Sequence, residues 1–249
     1  LDKREKDTSP IERILVVMPT YNEKENIERI VPTVLSQDKR INMLIIDDNS
    51  PDGTGEIVDR IAEGNARVDV IHREGKQGLG TAYVRGFKYS LENGYDLTFE
   101  MDADFSHDPA YLPKVIVAAE EGYDLIVGSR WVHGGGIEDW PKTREVLSRW
   151  ASMYSRLVTS MPIHDTTAGF QAFRRRVFEN LNLDGIRSDG YSFQIETKFK
   201  VWRKGFLIKE IPIVFKDREH GVSKINRKIV YEAFFIVWLL RLEALFGRI

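Results

Sequence analysis

Five short apolar runs, each ending in a polar tip and most leading into a helical pattern, constrain this chain more than any other feature. They are Ile14–Met18, Met43–Ile46, Val68–His72, Leu97–Met101 and Leu125–Ser129. Helical patterns follow over about 23–36, up to near Ala62, over 81–93 and over 109–121. Asn22 and Glu25 stand where a capping box would start the first helix, and Pro51-Asp52-Gly53 turns the chain into the second. Strands alternating with helices of this length fold into an α/β domain with a mostly parallel sheet and helices on both faces.

The second half is less regular. His133-Gly134-Gly135-Gly136 reads as a flexible loop, and Trp140-Pro141 precedes a long helix over 143–160. A strand is expected at Phe170–Phe173 and an amphipathic helix carrying Gln194 and Glu196 at Tyr191–Lys204. The last strand is expected at Phe206–Phe215, where Pro212 removes a ladder donor and so argues for a sheet edge. Ile229–Leu240 is strongly apolar but too short to span a bilayer, which takes about 20 residues. It fits an interfacial helix with basic flanks, a helix packed on the core, or a dimer contact.

Ligands of open α/β sheets bind beyond the carboxyl ends of the strands. Three tips carry polar groups there: Tyr21 and Glu23, Asp47 and Asp48, and Asp102 and Asp104. The Asp102-Ala103-Asp104 spacing suits a hard divalent cation, Mg²⁺ or Mn²⁺, whose usual companion is a nucleoside diphosphate. The bland reading is a strand-to-helix turn capped by Asp108. Asp48, after the second strand, is placed for a base or ribose. Gly75, Gly78 and Gly80 lack the order of a dinucleotide fingerprint, which disfavours a Rossmann oxidoreductase. Arg144 and Ser148 share a helix face near an N-terminus, where a phosphate could sit or Arg144 could make surface pairs. Arg218 and Lys224, in a Gly- and Ser-containing loop, either close over a pyrophosphate or belong to an ordinary basic surface.

Charge is unevenly spread. Lys198–Ile249 holds 12 Lys and Arg against 5 Asp and Glu, leaving 24 against 33 elsewhere and a formal net charge of −2. An acidic body with a basic C-terminal face suits a phosphorylated substrate or an anionic membrane better than nucleic acid. The absence of cysteine excludes disulfides, thiolate metal sites and a Cys nucleophile. No signal peptide is expected within the charged stretch Leu1–Arg13.

Taken together, Pro19-Thr20-Tyr21-Asn22-Glu23, Asp47-Asp48-Asn49-Ser50-Pro51-Asp52-Gly53-Thr54, Gly78-Leu79-Gly80-Thr81-Ala82-Tyr83, Met101-Asp102-Ala103-Asp104, Gly128-Ser129-Arg130 and Gly221-Val222-Ser223-Lys224 resemble the polyprenol (dolichol) phosphate mannose synthases. These are inverting family 2 glycosyltransferases with the GT-A fold. The resemblance covers about 14–224, leaving an N-terminal tail at 1–13 and an interfacial helix at 225–249. It implies that Pro19, Tyr21, Glu23, Ile46 and Asp48 hold the guanosine of GDP-mannose. Asp102, Ala103 and Asp104 would hold metal, diphosphate and sugar, with Asp102 and Asp104 as the metal ligands. Arg130, Arg218 and Lys224 would clamp phosphates, and Arg144 and Ser148 would receive the lipid phosphate. Asp104, Arg130, Arg144 and Ser148 are thus the expected catalytic set. Ser106 stands where some relatives carry a metal-binding Gln. The implied partners are GDP-mannose, a polyprenyl phosphate lipid, and a membrane surface or a membrane-anchored partner protein, at the cytoplasmic face. A UDP-glucose-dependent lipid-phosphate transferase and a non-catalytic sugar-nucleotide-binding subunit are the alternatives.

Overall fold

The computed structural model describes residues 5–217 and 227–246. Its strands are β1 (Ile14–Thr20), β2 (Ile41–Asp47), β3 (Val68–His72), β4 (Leu97–Glu100), β5 (Leu125–Ser129), β6 (Gly136–Ile137), β7 (Gln171–Arg174), β8 (Ile208–Pro212) and β9 (Val214–Phe215). Its α-helices are α1 (Lys24–Leu35), α2 (Thr54–Gly64), α3 (Leu79–Glu92), α4 (Leu112–Glu120), α5 (Lys142–Thr159), α6 (Arg175–Asn180), α7 (Gly190–Arg203) and α8 (Arg227–Leu245).

Seven strands form one sheet in the order β3-β2-β1-β4-β7-β5-β8. All its pairings are parallel except those of β7, which runs antiparallel between β4 and β5. The chain steps outward from β1 through β2 to β3, then returns to lay β4 on the other side of β1. Strand order reverses there, so the loops after β1 and β4 diverge and leave a crevice between them.

Alternation along the strands makes both cores. Ile14, Val16, Met18, Met43 and Ile45 face one layer with α1, α2 and α4. Leu15, Val17, Leu44 and Ile46 face the other with α3, α6 and α7. A period of two allows this, because both faces of a central strand are covered. Helix α3 lies close to β1 through Gly86, where an added Cβ would sit 2.4 Å from a Val17 methyl. Val17 has a stiff χ1 and cannot yield. Gly86→Ala is therefore expected to lose about 1–3 kcal/mol to overpacking, more than the ~1 kcal/mol gained in helix propensity. An unchanged urea midpoint would contradict this close approach.

Two local expectations change. The capping box does not form: Asn22 adopts φ 59° and α1 starts after Glu23, which makes no side-chain cap. The backbone donors of this turn are taken by the β2–α2 loop instead, Asn22 N–H by Ser50 Oγ (3.1 Å), Glu23 N–H by Thr54 Oγ1 (3.0 Å) and Lys24 N–H by Asp52 Oδ2 (3.2 Å). The expected strand 206–215 is two strands. Strand β8 pairs with β5 at the sheet edge up to Pro212, and β9 then pairs with β6 from the glycine-rich loop. Asp108 does cap, accepting from Ala110 N–H at 2.9 Å ahead of the 3₁₀ turn Pro109–Tyr111.

Helices α5, α7 and α8 enclose a third, smaller cluster that includes Met161, Phe199, Val237 and Leu240. Tyr154 of α5 is stacked between Trp150 (5.2 Å) and Phe234 of α8 (4.8 Å). Its hydroxyl accepts a hydrogen bond from Trp238 Nε1 at 2.8 Å.

Candidate active site

A cleft of about 530 Å³ opens at the carboxyl ends of the strands. The β1 tip gives it Pro19, Thr20, Tyr21 and Glu23, the β2 tip Asp48, and the β4 tip Asp102, Ala103, Asp104, Ser106 and His107. Arg130 enters from the end of β5 and Arg144 from the first turn of α5.

The adjacent acids Asp47 and Asp48 have different tasks. Asp47 is buried and accepts from Thr20 Oγ1 (2.9 Å), Ser50 Oγ (2.6 Å) and Ser50 N–H (2.9 Å), fixing two strand-end loops to each other. Asp48 faces the cleft and pairs with Arg73. Burial pushes the Asp48 carboxyl above its ordinary value, although the Arg73 hydrogen bond and charge oppose the shift.

At the β4 tip, Ser106 donates both its hydroxyl (2.5 Å) and its N–H (3.1 Å) to Asp104 Oδ1. Asp104 is almost fully buried, whereas the Asp102 side chain is 41% exposed. His107 is buried against Phe170 and Phe215, and burial holds its imidazole below the ordinary value. Its Nδ1 accepts the Asp102 N–H at 3.1 Å, which fixes the proton of the neutral ring on Nε2 and anchors the Asp102 backbone.

Among the described residues no three His, Asp or Glu side chains converge as metal ligands. Asp102, Asp104 and the Ser106 hydroxyl line the same cleft and are the oxygen donors that could hold a cation there. That composition fits Mg²⁺ or Mn²⁺ better than zinc, because such ions complete their coordination with water and ligand phosphate.

Arg130 and Asp165 form a buried bidentate pair, Nε to Oδ2 and Nη2 to Oδ1, both 2.7 Å. Asp165 also accepts the Arg130 N–H at 3.0 Å, and Arg130 Nη2 reaches Thr167 Oγ1 at 2.9 Å. Burial works against both charges, yet each partner outweighs it for the other: Asp165 lies below and Arg130 above the ordinary value. Arg144 lies 3.8 Å over the Trp140 ring and donates to Asp217 at 3.0 Å. Beneath this wall, Lys198 is fully buried and donates to Ala168 O (2.6 Å), and Gln194 Nε2 donates to the buried Glu100 (2.7 Å).

Most residues singled out in the sequence thus share one cleft, with exceptions. Ile46 is fully buried in the core beside Leu15 and Val17 and does not line the cleft. Ser148 is half-buried one turn beyond Arg144, outside the lining. Arg218 and Lys224 lie outside the described residues. The cleft also holds Arg73, Lys76, Trp140, Thr167, Asp189, Tyr191 and Gln194, which sequence reasoning did not assign. Arg73 had a signal, standing directly after the third strand. Asp189 had a weaker one, as an acid before a helix.

Paired acids and a buried guanidinium around a crevice at a switch point mark the ligand-binding end of an open α/β sheet. A family model described as Glycosyl transferase family 2 matches residues 15–181. The chain belongs to that family and is a glycosyltransferase with a GT-A-like fold. It is 45% identical over 235 residues to a polyprenol monophosphomannose synthase of Mycolicibacterium smegmatis, covering 93% of this chain and 89% of that one. It is 42% identical over 221 residues to an undecaprenyl-phosphate mannosyltransferase of Micrococcus luteus, covering 89% and 90%. Glucosyl-3-phosphoglycerate synthase of Mycobacterium tuberculosis, solved with phosphoglyceric acid, superposes with a TM-score of 0.67 at 18% identity, over 91% of this chain and 80% of that one. A mannosyltransferase of Pyrobaculum calidifontis, solved with GDP-Man and Mn²⁺, gives 0.56 at 17% identity, over 98% and 77%. At such identities these two structures speak for the fold.

Proposed function

We propose that this glycosyltransferase moves mannose from GDP-mannose to the phosphate of a polyprenyl (dolichyl-type) phosphate, with inversion at the anomeric carbon. The observation that carries the proposal is identity of 42–45%, over about nine-tenths of the chain, to enzymes named for mannose and a polyprenyl phosphate. The cleft's mix of carboxylates at the β1, β2 and β4 tips with the cations Arg73, Lys76, Arg130 and Arg144, the set a metal-bridged nucleotide and a phosphate acceptor need, supports it.

In this reading the β1 and β2 tips, with Pro19, Tyr21, Glu23 and Asp48, receive the guanosine. Asp102 and Asp104 hold a divalent ion, which when bound neutralises charge on the diphosphate. Arg130 binds donor phosphates, a role the family resemblance extends to Arg218 and Lys224, and Arg144 orients the acceptor phosphate at the cleft edge, where Ser148 follows one turn along α5. That acceptor needs no proton removed, because a phosphomonoester has its second pKa near about 6 and is mostly dianionic at neutral pH. The other cleft carboxylates agree, since each is engaged: Glu23 by Asn26 (2.9 Å), Asp48 by Arg73, Asp189 by Gly80 N–H (2.7 Å) and Asp217 by Arg144 (3.0 Å).

The lipid tail also has somewhere to go. Arg144 lies in the first turn of α5, the same helix exposes Leu147, Trp150 and Leu157, and α8, packed on α5 through Tyr154, exposes Phe235, Trp238 and Leu242. No described helix is long and apolar enough to cross a membrane. The two-helix face instead supports docking on a membrane surface, assigned here to the cytoplasmic face. Phe235→Glu with Leu242→Glu is expected to cut cosedimentation with anionic vesicles at least severalfold while sparing transfer to a short-chain acceptor in detergent. Undiminished vesicle binding would remove α8 from this role.

Transfer of label from GDP-mannose into an organic-extractable, acid-labile product tests the whole reading. Labelling from UDP-glucose instead would change the donor. No product from either, despite nucleotide binding, would make the chain a binding subunit.

A further inference from the structure

We propose that Asp189 is a positioning residue for the nucleoside half of the donor site, acting through the glycine loop and Arg73. The inference rests on the reading that Asp48 meets the donor nucleoside.

Asp189 is the N-cap residue of α7, a place where Asp normally accepts from its own helix. Here it makes no such bond. Its Oδ1 accepts instead from Gly80 N–H at 2.7 Å. Gly80 is the second residue of α3, and the α3 N-cap is Gly78, which has no side chain to offer. Asp189 therefore caps α3 from 109 residues away, placing a negative charge at the positive end of that helix. The fit leaves no slack. A Cβ on Gly78 would stand 2.5 Å from Asp189 Oδ2, and one on Gly80 would stand 2.6 Å from Ser188 O.

Arg73 grips the same segment from the other side. Its Nη2 donates to Gly78 O (3.0 Å), its Nη1 to Thr81 Oγ1 (2.7 Å), and its Nε to Asp48. Gly78–Thr81 is thus held between Asp189 and the Arg73–Asp48 pair, and Asp48, Arg73, Gly78 and Asp189 all line the cleft. Releasing Asp189 frees the start of α3, loosens the Gly78 carbonyl that holds the Arg73 fork, and lets Asp48 turn.

The test compares Asp189→Ala, D189N, Arg73→Ala and the D189A/R73A double variant. Amide hydrogen exchange is read on the free protein, and calorimetry is run with GDP and with UDP in Mn²⁺. In D189A, protection at Gly80 and Arg73 is expected to fall, and the Kd of the nucleotide that binds wild type to rise about tenfold. The transfer rate at saturating donor should change less than twofold. D189N keeps an oxygen acceptor and should stay within about threefold of wild type. The double variant should bind no more weakly than R73A alone, because both act on one path.

A D189N variant as inactive as D189A at saturating donor, with Kd unchanged, would make Asp189 a general base and overturn the proposal. Lower thermal stability without loss of nucleotide affinity, or additive losses in the double variant, would overturn it as well. Failure of wild type to bind either nucleotide would count against the donor reading, and the exchange arm would still decide whether Asp189 orders Arg73.

Discussion

Asp104→Asn is expected to lower sugar transfer by about a thousandfold, the loss of roughly 4 kcal/mol of charge stabilisation at the departing diphosphate. The change removes one negative charge and almost no volume. Ser106 can still donate its hydroxyl and N–H to the remaining oxygen, so the β4 tip should keep its shape. Melting temperature should therefore move little, while Mn²⁺ affinity in the presence of GDP falls steeply. Turnover above a tenth of wild type at saturating Mn²⁺ would remove Asp104 from the proposed metal site.

The second large effect lies behind the cleft. Asp165→Ala leaves the Arg130 guanidinium buried without its bidentate partner, and breaking such a pair from one side costs about 3–5 kcal/mol. For a chain of this size that lowers the melting temperature by roughly 10 °C. Transfer should fall too, because Asp165 holds Arg130 through three hydrogen bonds. The pH dependence has a definite sign. Asp165 lies below the ordinary carboxylate value when folded. Its contribution is therefore fully present above the unfolded value of about 3.9 and is lost as pH falls through the lower folded one. Wild type should lose this stability only in acid below about pH 4, and D165A should lack that part of the acid dependence. A melting temperature within 2 °C of wild type would show the pair to be dispensable.

What was legible in the sequence was local or periodic. Alternation along β1 and β2 showed the buried strands, and polar residues after them showed where ligands meet the sheet. Asp48, Asp102 and Asp104 share the cleft because each stands within four residues of a strand's carboxyl end, and a parallel arrangement brings such positions to one edge. The capping box failed for the opposite reason. Asn22 and Glu25 had the right spacing, but Ser50, Asp52 and Thr54 reach the same donors from the neighbouring loop. The Ile46 side chain lies in the core, so any contact it makes with a ligand runs through its backbone.

The α/β architecture and the end of the sheet where the cleft opens were thus written in the sequence, because hydrophobic period and strand-end polarity act within a few residues. Only tertiary structure decided which charges face one another. Arg73 with Asp48, Arg130 with Asp165 and Asp189 with Gly80 are 25, 35 and 109 residues apart. A pairing over such distances leaves no period in the chain; it exists only after the sheet order has brought its strands together.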